Sequence, residues 1–256
     1  MTKNHTFSDG TFTPDPRHAS VPVMIAAQAR IEATLFLRHG EQQLLSLIIP
    51  AALLIGLSLT DVLGLDSPVH TVFPFTLAIA GMSVGFTGQA IAVAFDRRYG
   101  ALKRIGASGV PSWTIILGKV VAVVGVSIVQ TLILGAIALA IGWTMPLSGI
   151  LPAAVVMLFG VGTFTAVGLL LGGTCSSEVV LAVANTLWFL LLGSAAYFVL
   201  RASGPIPTAA LIIPSVSFAD ALQQALTGSI AWLNLLLLSF WAIAGMAAAT
   251  KLFRFS

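Results

Sequence analysis

Between Asp96 and Pro111 the chain reads DRRYGALKRIGASGVP, a charged, glycine-punctuated stretch between two long apolar runs. It holds Arg97, Arg98, Lys103 and Arg104, four of the twelve Lys and Arg residues in the protein. The chemistry open to such a group is ionic. A short helix with Leu102 and Ile105 as an apolar foothold, and these four cations around them, can pair with acidic residues on a partner. The same cations also suit a solvated loop that touches only lipid headgroups. Nothing nearby points to bond-making. There is no G-x-x-x-x-G-K-[ST] loop to cradle a nucleoside triphosphate, and no H-E-x-x-H, G-x-S-x-G or Gly-rich dinucleotide fingerprint. His5, His18, His39 and His70 do not fall at metal-ligand spacing. The single Cys175 excludes an intrachain disulfide and a multi-cysteine metal site.

Four polar residues interrupt the apolar runs themselves: Gln89, Gln130, Asn185 and Asn234. One reading is hydrogen bonding between helices; the other is substrate contact along a translocation route. Lys119 and Glu178 fall near the ends of runs, where Lys119 can snorkel to the headgroups. No carboxylate or histidine is placed near mid-membrane as a proton-coupled carrier requires, although a re-entrant segment could draw Asp220 inward. Trp188, Tyr197 and Trp241 read first as lipid-facing or packing residues, and Trp113 and Trp143 as interfacial anchors.

The elements that must position these residues are helices in a membrane. The 256 residues are 57% hydrophobic and 8% charged, far below the charge of a soluble domain, and the mean hydropathy is +1.01. The expected fold is all-α, a polytopic membrane protein with six transmembrane helices. Residues 1–22 read as a disordered cytosolic tail. Residues 23–40 form an amphipathic helix with Met24, Ala27, Ile31 and Leu35 on its apolar side; the alternative is the first turns of a long first span. The spans run about 44–60, 71–95, 113–141, 151–171, 179–200 and 230–250. Pro50 is expected to kink the first. Gly81 and Gly85 in the second, and the small residues of GVGTFTAVGLLLGG in the fourth, permit close helix contact. Residues 202–228, with Pro205, Pro207 and Pro214, suit two short interfacial or re-entrant helices at the outer face, the second over 217–226. Six spans gather Lys3, Arg17, Arg30, Arg38, the four connector cations, Lys119, Lys251 and Arg254 on one side and leave only Arg201 on the other. Positive charge stays in the cytosol, which places both termini and the 96–112 connector there, in the cell membrane among its lipids. The basic residues flank spans and form no separate patch, so nucleic acid is not an expected partner.

The connector resembles the loop between the second and third spans of type-2 ABC exporter permeases. Gly100, Leu102 and Lys103 match the centre of that family's motif, and Ala107 and Ser108 its later part. Arg98 stands where the family often has a glutamate, and Gly109 where it often has a proline. The resemblance extends to the helix before the first span, the six spans and the outer insertion, and so covers nearly the whole chain. It implies a transmembrane domain over 23–256 whose connector is a coupling helix, with Asp96, Arg97, Arg98, Tyr99, Gly100, Leu102, Lys103, Arg104 and Ile105 seated in a groove of an ATPase subunit. It further implies two copies of that P-loop ATPase per complex, which bind ATP and Mg, and a second permease subunit, identical or homologous. This chain would itself bind no cofactor and hold no catalytic residue. The implied cargo is an amphipathic drug, lipid or glycolipid moved outward. A secondary transporter, a membrane-embedded enzyme and a non-transporting scaffold are the rival readings.

Overall fold

The computed structural model describes residues 19–38, 40, 44–101, 104, 107, 109–144, 147–201 and 204–252. Every regular element among them is helical. Helix α1 is Val21–Arg38. A π-helical turn, Leu44–Ile48, leads into α2, Ile49–Leu59. Pro50, expected to kink this run, lies where the π turn gives way to α2. Helix α3 runs Val69–Arg98, interrupted by a π-helical segment at Ser83–Gly88. Then follow α4, Ser112–Ala140; α5, Ile150–Thr174; α6, Ser177–Val199; α7, Pro214–Leu226; and α8, Trp232–Leu252. Helix α3, Trp113–Ala140, Leu147–Thr174, α6 and α8 are each long and apolar enough to cross a membrane. Ser46–Leu59 is apolar but shorter. The protein is therefore an all-α, multi-pass membrane protein.

Helix α3 is the core. Val72, Phe75, Ile79, Met82, Val84 and Phe86 on it are essentially unexposed. It packs on α5 through backbone, as the small residues lead one to expect. A Cβ on Gly85 would stand 2.9 Å from the Val161 carbonyl oxygen, and one on Gly168 2.6 Å from that of Phe86. With no hydrophobic drive between helices in lipid, such close approach is what holds them. Helix α7 is buried among α3, α5, α6 and α8, with Val216, Phe218, Ala219, Ala221, Leu222 and Ala225 fully covered. The helix starts at Pro214, three residues before the expected 217, because proline is favoured in a first turn.

In α1 the stripe through Ala27, Ile31 and Leu35 faces outward. The side packed on α4 carries Gln28, Glu32 and Phe36, because Glu32 finds a cation there. Trp143 is no interfacial anchor: it is buried, with its ring centroid 4.4 Å from that of Phe73.

At the end of the molecule that carries Arg97 and Arg98, here the basic end, the helices form two groups. Helix α1 lies along α4, while the last turns of α3, Gln89–Arg98, lie against α5 and α6. Along Val69–Gly88 α3 packs directly on α4; over Gln89–Arg98 the two backbones part.

Candidate functional site

The gap between the two groups is bridged by charge. Lys119 enters it from α4 and donates to Glu32 Oε1 of α1 at 2.5 Å and to Asp96 Oδ2 of α3 at 2.8 Å. Gln28 Nε2, one turn before Glu32, donates to the same Oε1 at 2.7 Å. The Lys119 side chain is 5% exposed and that of Glu32 9%, so the snorkelling expected of Lys119 does not occur. An ammonium seven residues into a long apolar helix is instead neutralised from two sides. A buried ion is tolerated only with such partners. Asp96, expected to face an ATPase, is turned inward to this cluster.

The next two residues tie the same helix end to the α5–α6 turn. Arg97 Nη1 donates to the carbonyls of Gly172 at 3.1 Å and Cys175 at 3.3 Å. These belong to the last turn of α5, whose carbonyls lack intrahelical donors and carry the negative end of the helix dipole. Arg98 Nη1 donates to Ser177 Oγ at 3.1 Å and to Glu178 Oε1 at 2.5 Å. Glu178 lies in the first turn of α6, where a carboxylate also favours the helix dipole. Three successive side chains of α3 thus reach α4 with α1, α5, and α6.

Beyond them the chain turns outward. Tyr99 is 64% exposed and stacks on Phe95, ring centroids 5.9 Å apart. Gly100 has φ +67° and Gly109 φ +77°, left-handed conformations that favour glycine, so the chain turns at both ends of the connector. That geometry accounts for a glycine at 109. Between them Ala101, Arg104 and Ala107 are helical, and the exposed Arg104 donates to the Tyr99 carbonyl at 3.2 Å. Leu102, Lys103 and Ile105, also expected at the coupling surface, lie outside the described residues.

The four polar residues of the apolar runs separate into kinds. Asn234 of α8 is bound to α7: its Nδ2 donates to the Ser217 carbonyl at 3.0 Å and to Asp220 Oδ2 at 2.8 Å. Its interhelical role follows from that geometry, and Asp220 is occupied with it. Asn185 is half-buried on α6 and has interactions of its own. Gln89 and Gln130 are different. They are 5% and 3% exposed, yet Gln89 Oε1 and both amide atoms of Gln130 have no hydrogen-bond partner among the described residues. Trp188, read as a packing residue, is fully buried and donates to Ser83 Oγ of the π segment at 2.7 Å.

Among the described residues, two cavities differ in character. An apolar groove of about 530 Å³ lies between α4 and α5, lined by Leu77, Ile128, Leu132, Ala154 and Leu158 among others. A polar pocket of about 410 Å³ lies at the far end, bounded by Arg201, Asp220, Gln223, Gln224 and Thr227. Sequence reasoning missed the Glu32–Lys119–Asp96 cluster. Its signal was a lysine deep in an apolar run, and a glutamate with a glutamine one turn before it in the preceding helix.

The long apolar helices, the internal helix near the far end and the basic connector define a polytopic permease-like membrane domain. Residues 42–251 match the family described as ABC-2 family transporter protein, and the chain belongs to that family. A search of curated proteins returned no match.

Proposed function

We propose that the chain is the permease subunit of an ATP-driven exporter, working with separate ATPase subunits and a second permease subunit. The family match across most of the chain carries this reading. On it, the basic end is cytosolic, Ser46–Leu59 completes a set of six spans with both termini inside, and the connector is the coupling helix. The ATPase hydrolyses ATP; this chain supplies the path and the lever.

The lever has a physical basis. A displacement of the connector acts first on the end of α3. From there Asp96 passes it to Lys119 and Glu32, Arg97 to the end of α5, and Arg98 to the start of α6. One docking event would thus move four helices together, as a rigid-body change of access requires. Because Asp96 and Arg97 are engaged internally, docking falls to Arg98, Tyr99, Arg104 and the remaining connector residues. An amphipathic or lipidic cargo suits the apolar interior and the groove between α4 and α5.

The test is the paired variant Tyr99→Ala, Arg104→Glu, purified from membranes with its associated ATPase. The expected result is loss of the ATPase with no change in the chain's membrane yield. Retention of the ATPase at wild-type stoichiometry would remove these residues from the docking surface. A scaffold in the same fold would keep the ATPase but show no ATP-dependent movement of amphipathic dyes in vesicles.

A further inference from the structure

The Lys119–Asp96 contact sets the register of α3 against α4. Gln89 lies seven residues before Asp96, and Gln130 eleven residues after Lys119. Both stretches are regular α-helix, so these separations are close to two and three full turns, and each glutamine returns to the face of its charged neighbour. The helices run in opposite directions, so both amides lie further into the membrane than the ion cluster, by about 10 Å for Gln89 and about 16 Å for Gln130. They therefore flank the point where α3 and α4 part. The π segment Ser83–Gly88 ends at the residue before Gln89, and π turns inside α-helices often occur at functional sites.

A buried primary amide with hydrogen-bonding atoms unused, both of them at Gln130 and the carbonyl oxygen at Gln89, is unfavourable, and its ordinary explanation is a water or ligand that belongs there. The position is neutral. The charges nearest to it along the helices, Lys119 with Glu32 and Asp96, are already paired with one another. An uncharged group that both donates and accepts hydrogen bonds, such as a hydroxyl or an amide, matches two glutamines; a charged head has no countercharge to meet.

We propose that Gln89 and Gln130 form a polar binding position between α3 and α4 that takes the hydrogen-bonding head of an uncharged amphipathic molecule, and holds water when that molecule is absent. The inference deepens the exporter reading, on which that molecule is cargo taken from the cytosolic side.

The test uses the full chain in its membrane with Cys175→Ser, so that an introduced cysteine is the sole thiol. Gln130→Cys is compared with Leu134→Cys, the next turn of the same helix, where the side chain is fully buried. A small hydrophilic methanethiosulfonate is expected to modify the first about tenfold faster, since only a polar, hydrated site admits it. 1-Dodecanol should slow that reaction, and dodecane should not. Equal rates at the two positions, or equal protection by alcohol and alkane, would overturn the proposal. A second variant, Gln130→Leu, should melt no lower than wild type, because no protein hydrogen bond is lost. A clearly lower melting temperature would assign Gln130 a structural role instead. Loss of ATPase association or of transport bears on the exporter reading and leaves the labelling result standing.

Discussion

Lys119 carries the largest electrostatic burden of any side chain among the described residues. It is nearly inaccessible, and it holds two carboxylates from two other helices. Breaking a buried ion group by removing one member leaves uncompensated charge, which costs about 3–5 kcal/mol. Lys119→Ala is therefore expected to lower the melting temperature of the detergent-solubilised chain sharply. The triple change Lys119→Met, Glu32→Gln, Asp96→Asn, which removes all the charge, should recover much of the loss. Equal damage from both would mean that the cluster acts through packing and not through charge. The exposed pair Arg98–Glu178 stands at the other extreme. Exchanging the two residues is expected to leave the melting temperature near wild type, since exposed pairs contribute little. If the pair is part of the lever, Arg98→Glu alone should lower coupled ATP turnover while leaving melting near wild type, and the exchange should restore it. Unchanged turnover in the single variant would take Arg98 out of the lever.

At the scale of helices, contact between α3 and α5 depends on missing side chains. Gly168 meets the carbonyls of Gly85 and Phe86, whereas Gly162, two turns earlier on α5, has open space where a Cβ would stand. Gly168→Ala is expected to force the helices apart and destabilise by about 1–3 kcal/mol, the usual range for overpacking. Gly162→Ala should be neutral or stabilising, since alanine is the better helix former. Thermal melts of the two variants decide this, and similar values would contradict the close packing. These contacts were partly legible in advance, because runs of glycine and alanine at four-residue spacing allow backbones to meet. Which glycine meets which carbonyl was not, since it depends on the relative rotation of two helices that are distant in sequence. The face of α1 that packs on α4 was not legible for a similar reason. Apolar residues in a membrane protein have lipid available as well as core, so hydrophobic periodicity does not say which face packs. The partner of Glu32 is 87 residues away.

At the scale of the molecule, the helical class and the boundaries of the long helices followed from hydropathy alone, which is strong because every backbone polar group in lipid must be satisfied within a helix. The connector was also visible as a basic island between glycines. Its division of labour was not. Asp96, Arg97 and Arg98 looked like a docking surface, yet Asp96 is drawn to Lys119 and Arg97 to the end of α5, while Arg98, Tyr99 and Arg104 stay exposed. The polar residues of the helices could not be sorted by sequence either: Asn234 is consumed by α7, whereas Gln89 and Gln130 are buried with polar atoms unused. Together these features describe a domain in which one helix end is wired to four others, as a subunit driven from outside would need. The central claim is that the drive comes from a separate ATPase. Gentle extraction of the chain from its native membrane, followed by native mass measurement, tests it most directly. The expected particle contains two permease subunits and two copies of a protein with a P-loop. A chain that leaves the membrane alone, or only with copies of itself, would contradict the account.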